Sequence, residues 1–332
     1  MNAAAALRNE IVRHSQLSFQ RLNIGGIPTS KWPNLKPFKA VDYAEYLSKM
    51  QATKEELGPS YDNTYDVEKN YKPPMSGGEK LSRMFTTFPL RDPAYLVVIF
   101  FIIGSIDFTI NGAIGLIPII NPEGASPELM AVWFPTTIFI GAGFFLFAGI
   151  LDLLGAFNAE NGLMEITKNS NGGKDLTHRP ALLGSKEWSW GTNGRFMKLL
   201  KSDVAFQSGF SQFLAGLIFT ISAFTTIPGL FDPMSPSFPL IAFFPQVVGG
   251  FMFFAANAVL AYVEQDHFWG FKPFSANWQS GFLGAGGGLG FMMGGLLLLL
   301  SDFPGAAWAS MIGSVSFLLG SIAGWYSVME MV

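Results

Sequence analysis

AYLVVIFFIIGSIDFTINGAIGLIP, residues Ala94–Pro118, decides the class of this chain. A helix that crosses the hydrocarbon core of a bilayer needs about 20 mostly apolar residues. This stretch exceeds that length and carries a single charged residue, Asp107. Five further stretches read the same way: Val132–Phe157, Ala205–Leu230, Leu240–Val263, Gln279–Leu300 and Gly305–Met329. Short proline-bearing turns, Ile119–Ala131, Phe231–Pro239 and Ser301–Pro304, join them in pairs. The expected fold is therefore all-α: a polytopic membrane protein with six transmembrane helices arranged as three tandem hairpins.

The rest of the chain divides around those hairpins. Residues 1–93 form a polar, partly irregular arm, and hairpin one covers 94–157. A loop at 158–204 leads to hairpin two at 205–263, and a shorter loop at 264–278 leads to hairpin three at 279–332. Within the arm, Val41–Leu57 reads as a short amphipathic helix stopped by Gly58-Pro59. The arm as a whole is too small and polar to bury a core of its own.

Composition agrees. Charged residues make up 14% of the 332 residues, against about 25% in an average soluble domain. Phenylalanine (33) and glycine (37) are abundant, and the net charge is −3. The absence of cysteine excludes disulfides, thiolate metal sites and cysteine nucleophiles.

All 21 lysines and arginines lie in the arm and the two longer loops, whereas the three short turns carry only Glu123, Glu128, Asp232 and Asp302. By the positive-inside rule both termini and the basic loops are expected on the cytoplasmic side. The Ala run near Met1 is too short for a signal-peptide h-region, so targeting is expected to come from the first spanning helix. Glu10 and Asp42 argue against a transit peptide, which favours a plasma membrane or endomembrane over an organelle inner membrane.

A long-period repeat runs through the chain. Asp92–Pro122 matches Asp203–Pro233, both opening on Asp-x-Ala-aromatic, with Ser105, Phe108, Thr109 and Ile110 falling on Gly216, Phe219, Thr220 and Ile221. Phe134-Pro135 and Phe244-Pro245 are read as the openings of helices two and four. A smaller unit, a small residue four before a Phe, recurs once per helix: Gly104/Phe108, Gly141/Phe145, Ala215/Phe219, Gly250/Phe254, Gly287/Phe291 and Gly313/Phe317. Residues at i and i+4 share a helix face, so each unit is a packing element of the small-xxx-small kind. Helix five, with Gly284, Gly286, Gly287, Gly288, Gly290 and Gly294, is expected to be central. Its glycines fit no dinucleotide-binding register and follow no strand. Three hairpins of one orientation are consistent with parallel repeats about a pseudo-threefold axis.

Several segments carry a family resemblance: Arg91-Asp92-Pro93, Gly104-Ser105, Asn111-Gly112, Pro118, Gly141 to Asn158, Trp188-Ser189-Trp190, Pro228-Gly229, Pro245 to Gly250, Glu264-Gln265, and Trp278 to Phe291. Together, over about residues 90–300, they resemble a group of uncharacterised integral membrane proteins known mainly from fungi. The stretch of helix five resembles a YrhK-like helix pair. The resemblance implies a polytopic membrane protein without an assigned activity, so no catalytic or ligand residue is carried over. The chain departs from that pattern at Gly155, where an acidic residue is expected.

Chemistry-bearing residues are few. Asp107 lies near the middle of helix one with Asn111 one turn on, and no spanning helix offers Lys or Arg to pair with it. Intramembrane carboxylates are costly and usually face a bundle interior or a wet cavity. Asp107, Asn111 and Asn257 are therefore the candidate polar pathway, with Ser105, Ser222 and Gln212 able to join it; interhelical hydrogen bonding is the plainer reading. Asp152, Glu264 and Glu330, one near the cytoplasmic end of each hairpin, are a candidate acidic ring that could gather cations. Trp188, Trp190, Phe196, Lys198 and Lys201 suit anchoring in the lipid headgroup layer.

The three histidines are scattered, and no hydrolase, metalloprotease or P-loop signature occurs, so neither an enzyme nor a cofactor is expected. The expected partners are membrane lipid and other membrane subunits or further copies of this chain, with no nucleic acid. A structural or accessory role is expected first, and a small transporter or channel around Asp107 and Asn111 second.

Overall fold

A computed structural model of the chain describes residues 2–8, 41–42, 76–168, 174–265 and 267–329. Its elements in order are β1 (Val41–Asp42), α1 (Gly77–Thr86), α2 (Pro93–Ile120), α3 (Phe134–Phe157), β2 (Leu163–Lys168), β3 (Lys174–Arg179), α4 (Asn193–Ser202), α5 (Val204–Thr225), α6 (Phe238–Val263), α7 (Ala276–Leu299) and α8 (Phe303–Val328). Six of these, α2, α3 with its leading turn, α5, α6, α7 and α8, are long and apolar enough to cross a membrane. The chain is an integral membrane protein.

Local sequence sets the helix ends. Asp92 and Asp203, the two aspartates of the recurring Asp-x-Ala-aromatic motif, are both N-caps; their carboxylates accept from Ala94 N–H (3.0 Å) and Phe206 N–H (2.6 Å). A capping aspartate satisfies an amide that the first helical turn leaves without a partner. Pro118 lies inside α2 and does not end it. Phe244-Pro245 likewise sits inside α6, which opens instead on Phe238-Pro239. A π-helical turn, Leu129–Trp133, runs directly into α3. The third span closes at Thr225 rather than Leu230.

The six spans close into a ring in chain order. Each packs on the next, and α8 returns to pack on α2. Helix five of the sequence reading, α7, is therefore one member of the ring and not its centre. Its glycines bring it unusually near to both neighbours. A methyl group at Gly288 would overlap the backbone nitrogen of Phe254 on α6, and one at Gly290 would fall 2.5 Å from the Cα of Gly313 on α8.

The axis of the ring is filled by phenylalanine, one from each helix. Phe108, Phe219 and Phe291 form a triangle with centroid separations of 5.7, 5.1 and 5.2 Å. Phe145, Phe253 and Phe317 form a second, at 5.6, 5.1 and 5.7 Å. Phe108–Phe145 at 5.1 Å and Phe291–Phe317 at 5.7 Å join the two. Most of these contacts are edge-to-face, the arrangement favoured by the ring quadrupole.

The small residue four before each Phe has a definite use. Gly104 seats the ring of Phe145, and Gly141 seats that of Phe108, so the two helices of the first hairpin exchange knobs. Gly287 seats the ring of Phe317. The unit on α6 is Gly249/Phe253, one residue earlier than the expected Gly250/Phe254. Phe253 is buried on the axis, while Phe254 is only half-buried. Gly250 instead faces the Met292 backbone of α7.

Outside the ring, β2 and β3 form an antiparallel hairpin within the 158–204 loop, and β1 adds to its β2 edge through Val41↔Met164. Val41 and Asp42 are thus strand rather than the start of the expected Val41–Leu57 helix. The remainder of that segment lies outside the described residues. Capped by the reciprocal Ser76–Glu79 box, α1 lays Met84 against α8 and its neighbours, with Phe85 edge-on to Trp325 at 5.7 Å.

Between α7 and α8, Ser301 adopts φ 61°. Its N–H donates to Leu298 O (3.1 Å), and that of Asp302 to Leu297 O (2.9 Å). A left-handed residue just past a helix end is the position glycine fills best, because a Cβ there costs about 1–2 kcal/mol. Ser301→Gly is expected to raise stability by about 1 kcal/mol. A thermal midpoint unchanged or lowered in detergent would overturn that assignment.

Candidate functional site

The end of the ring that bears the basic loops is closed by residues 2–8. Residues 3–8 form a turn and a half of helix whose side chains are almost wholly buried, with Ala3 at 0% exposure. Asn2 caps it, its Oδ1 accepting from Ala5 N–H at 2.9 Å, and donates through Nδ2 to the carbonyl of Ala94 on α2. The Ala3–Ala6 run lets the segment sit close to the surrounding helices. Ala3 rides on Gly209 of α5, and Ala4 rides on Gly155 of α3. Leu7 packs with Phe157, Phe206 and Leu260. On the opposite side, Asn2, Ala5 and Ala6 share a small polar cleft with Glu264, Asn277, Ser280 and Ser327. Every helix of the ring thus contributes to the seat.

Two acidic groups hold the segment. Asp152, fully buried, accepts from Ala4 N–H through Oδ1 (3.0 Å) and from Gln212 Nε2 through Oδ2 (3.1 Å). Arg8 Nη1 lies 2.6 Å from Asp92 Oδ2, with both side chains buried. Asp92 therefore caps α2 with one oxygen and binds the segment with the other. Buried polar groups need such partners, since an unpaired charge in the interior is strongly destabilising.

This placement changes the reading of the acidic ring. Asp152 is turned inward onto the amino-terminal segment, Glu264 lies half-buried beside the same segment, and Glu330 lies outside the described residues. The arm, expected to be polar and partly irregular, supplies residues 2–8 to the core of the bundle. The sequence signal was present in Asn2 followed by four alanines, a cap and a strong helix former.

The mid-membrane residues are not brought together. Asp107 and Asn111 both face α3. Asn111 Nδ2 donates to Phe134 O (2.8 Å) and Thr137 Oγ1 (2.9 Å), tying the two helices. Asp107 Oδ2 is buried against the Gly141 backbone and makes no well-formed hydrogen bond among the described residues. Asn257 is fully buried on the far side of the ring, against Gly284 at the α6–α7 seam, with Nδ2 donating to Phe253 O at 2.8 Å. Ser222 Oγ donates to Ala242 O, joining α5 to α6. Ser105 is buried with its Oγ unpaired among the described residues, and Gln212 serves the seat described above.

The aromatic–basic stretch divides in two. Trp190, Lys198 and Lys201 are exposed, whereas Trp188 is buried, because Asn158 clasps the neighbouring Ser189 by both its N–H (2.7 Å) and its carbonyl (2.8 Å). Phe196 turns inward onto Phe206 and Phe210.

No protein-family model, curated protein or solved structure matches this chain.

Proposed function

We propose that this protein is a structural or accessory component of its membrane, organising lipid or partner subunits through the outer faces of the ring. The observation that carries this reading is the filled axis. Two stacked phenylalanine triangles occupy the place where a conduit would need polar lining or space. Asn111 ties α2 to α3, and Asn257 lies against Gly284 of α7 on the opposite side of that plug. An opening does exist on the outside of the ring. A groove of about 690 Å³ between α1, α7 and α8, lined by Met84, Phe274, Trp278, Phe282 and Leu319 among others, suits an acyl chain. Exposed Trp190, Lys198 and Lys201 suit the headgroup layer. In this reading the basic loops and both termini face the cytoplasm of a plasma membrane or endomembrane, and the chain performs no catalysis.

One observation favours a transporter or channel: the buried, unpaired oxygen of Asp107. Cysteine accessibility separates the two readings, because the native chain has no cysteine. Asp107→Cys, reconstituted and treated from each side with a membrane-impermeant maleimide, is expected to stay unlabelled. Labelling from either side in a folded, inserted chain would establish a water path to mid-membrane and displace the structural reading.

A further inference from the structure

We propose that the basic-loop end of the ring is a peptide socket, and that residues 2–8 are its tethered and releasable occupant. The seat has the marks of a ligand site rather than of an ordinary seam between helices. Its floor is glycine where the segment touches: Gly209 under Ala3 and Gly155 under Ala4. Its walls present acceptors, Asp152 for a leading N–H and Asp92 for a guanidinium one turn later. One acceptor of the seat, Gln212 Oε1, is buried and unpaired among the described residues, although Gln212 itself is 0% exposed. The socket is therefore over-supplied with acceptors relative to what the docked segment uses.

The ligand class follows from that chemistry. It is a short helix of small residues that presents free N–H groups at its start and a guanidinium on its second turn. A closely fitted socket of this kind excludes larger side chains. Gly155 is what makes room for the segment, since a Cβ there would fall 2.7 Å from that of Ala4. The segment is joined to α1 by residues 9–76, and among the described residues it is held by its contacts to Asp152 and Asp92, the Asn2–Ala94 hydrogen bond and a short apolar face. Its departure would leave a funnel open toward the basic loops, lined by Asp152, Asp92 and Glu264 and floored by the phenylalanine triangles. Release thus exposes an acidic, membrane-embedded surface without opening the axis.

The test uses the full chain with one reporter, Ser280→Cys. Ser280 is 2% exposed and lines the cleft shared with Asn2 and Ala5. Gly209→Val drives a side chain into the place of Ala3, whose Cβ lies 3.1 Å from the new Cβ. Arg8→Ala removes the ion pair without touching the wall. In proteoliposomes, each lesion is expected to speed modification of the reporter thiol by an impermeant maleimide at least tenfold, from the basic-loop side only. A synthetic peptide of residues 2–12 added in excess is expected to slow it again. An unchanged rate in both variants, each eluting as a folded species, would make the segment a fixed part of the core and overturn the proposal. Faster labelling that the peptide does not reverse would overturn it too, because the lesion would then have loosened the bundle rather than emptied a socket.

Discussion

Phe145→Ala is expected to destabilise the bundle by about 2–3 kcal/mol, at or below the lower end of the range of about 3–5 kcal/mol for buried Phe→Ala changes in water, which includes a transfer contribution. Phe145 is 1% exposed and touches Phe101, Phe108, Phe253 and Phe317 at centroid separations of 5.0–5.6 Å. In a bilayer the usual transfer contribution largely vanishes, because lipid tails are as apolar as the protein interior. What remains is the dispersion lost around a cavity that six converging helices cannot collapse to fill. The matched control is Phe147→Ala on the same helix, 58% exposed, which is expected to change stability by less than about 0.5 kcal/mol. Thermal midpoints in one detergent, followed by tryptophan fluorescence, decide the matter. Equal midpoints for the two variants would mean that the axis carries no packing energy.

The second large effect is expected at Gly288. A Cβ there meets the Phe254 backbone nitrogen inside any permitted contact distance, and the Phe254 Cα at 2.7 Å, so a helix backbone and not a flexible side chain must move. Overpacking of this kind costs about 1–3 kcal/mol and occasionally more, and it outweighs the roughly 1 kcal/mol that alanine gains over glycine in a helix. Gly288→Ala is therefore expected to lower the thermal midpoint, and Gly288→Val to abolish the folded species on size exclusion. Gly143→Ala on α3 reverses the sign, since nothing lies within 4 Å of a Cβ at that position. There alanine is expected to raise the midpoint. If both alanines stabilised, the close α6–α7 approach would be disproved.

Hydropathy made the six spans legible, because a bilayer admits few alternatives to a long apolar helix. The Asp-x-Ala-aromatic repeat also carried through to structure, since a cap is a local device: Asp92 and Asp203 act within their own first turns. Register was harder to read. Gly249/Phe253 and Gly250/Phe254 are equally good small-xxx-Phe units, and only the position of α6 against its neighbours selects the first. Centrality was misread for α7 because glycine density reports how closely two backbones approach, not where a helix stands in a ring. The amino-terminal seat was the least legible. Its acceptors, Asp92, Asp152 and Gln212, are spread over three helices, and four alanines carry no mark of what they will touch. Asp152 reads in sequence as one member of an acidic ring, and only the tertiary placement of the amino-terminal segment turns it inward.

Ring closure has a consequence for biogenesis. Neighbours in the ring are neighbours in the chain, except at the single seam between α8 and α2. During synthesis the first five spans can pair as they emerge, but that seam waits for the last one. Until α8 arrives, the rings of Phe145, Phe253 and Phe291 lack Phe317, and the flank of α2 faces lipid. A nascent chain halted before residue 303 is thus an open crescent with an unmatched edge at each end. Until its own helix is available such an edge can pair only with lipid or with another chain, so the interval before the final hairpin completes is the moment at which this protein is most exposed to mispairing and to quality control.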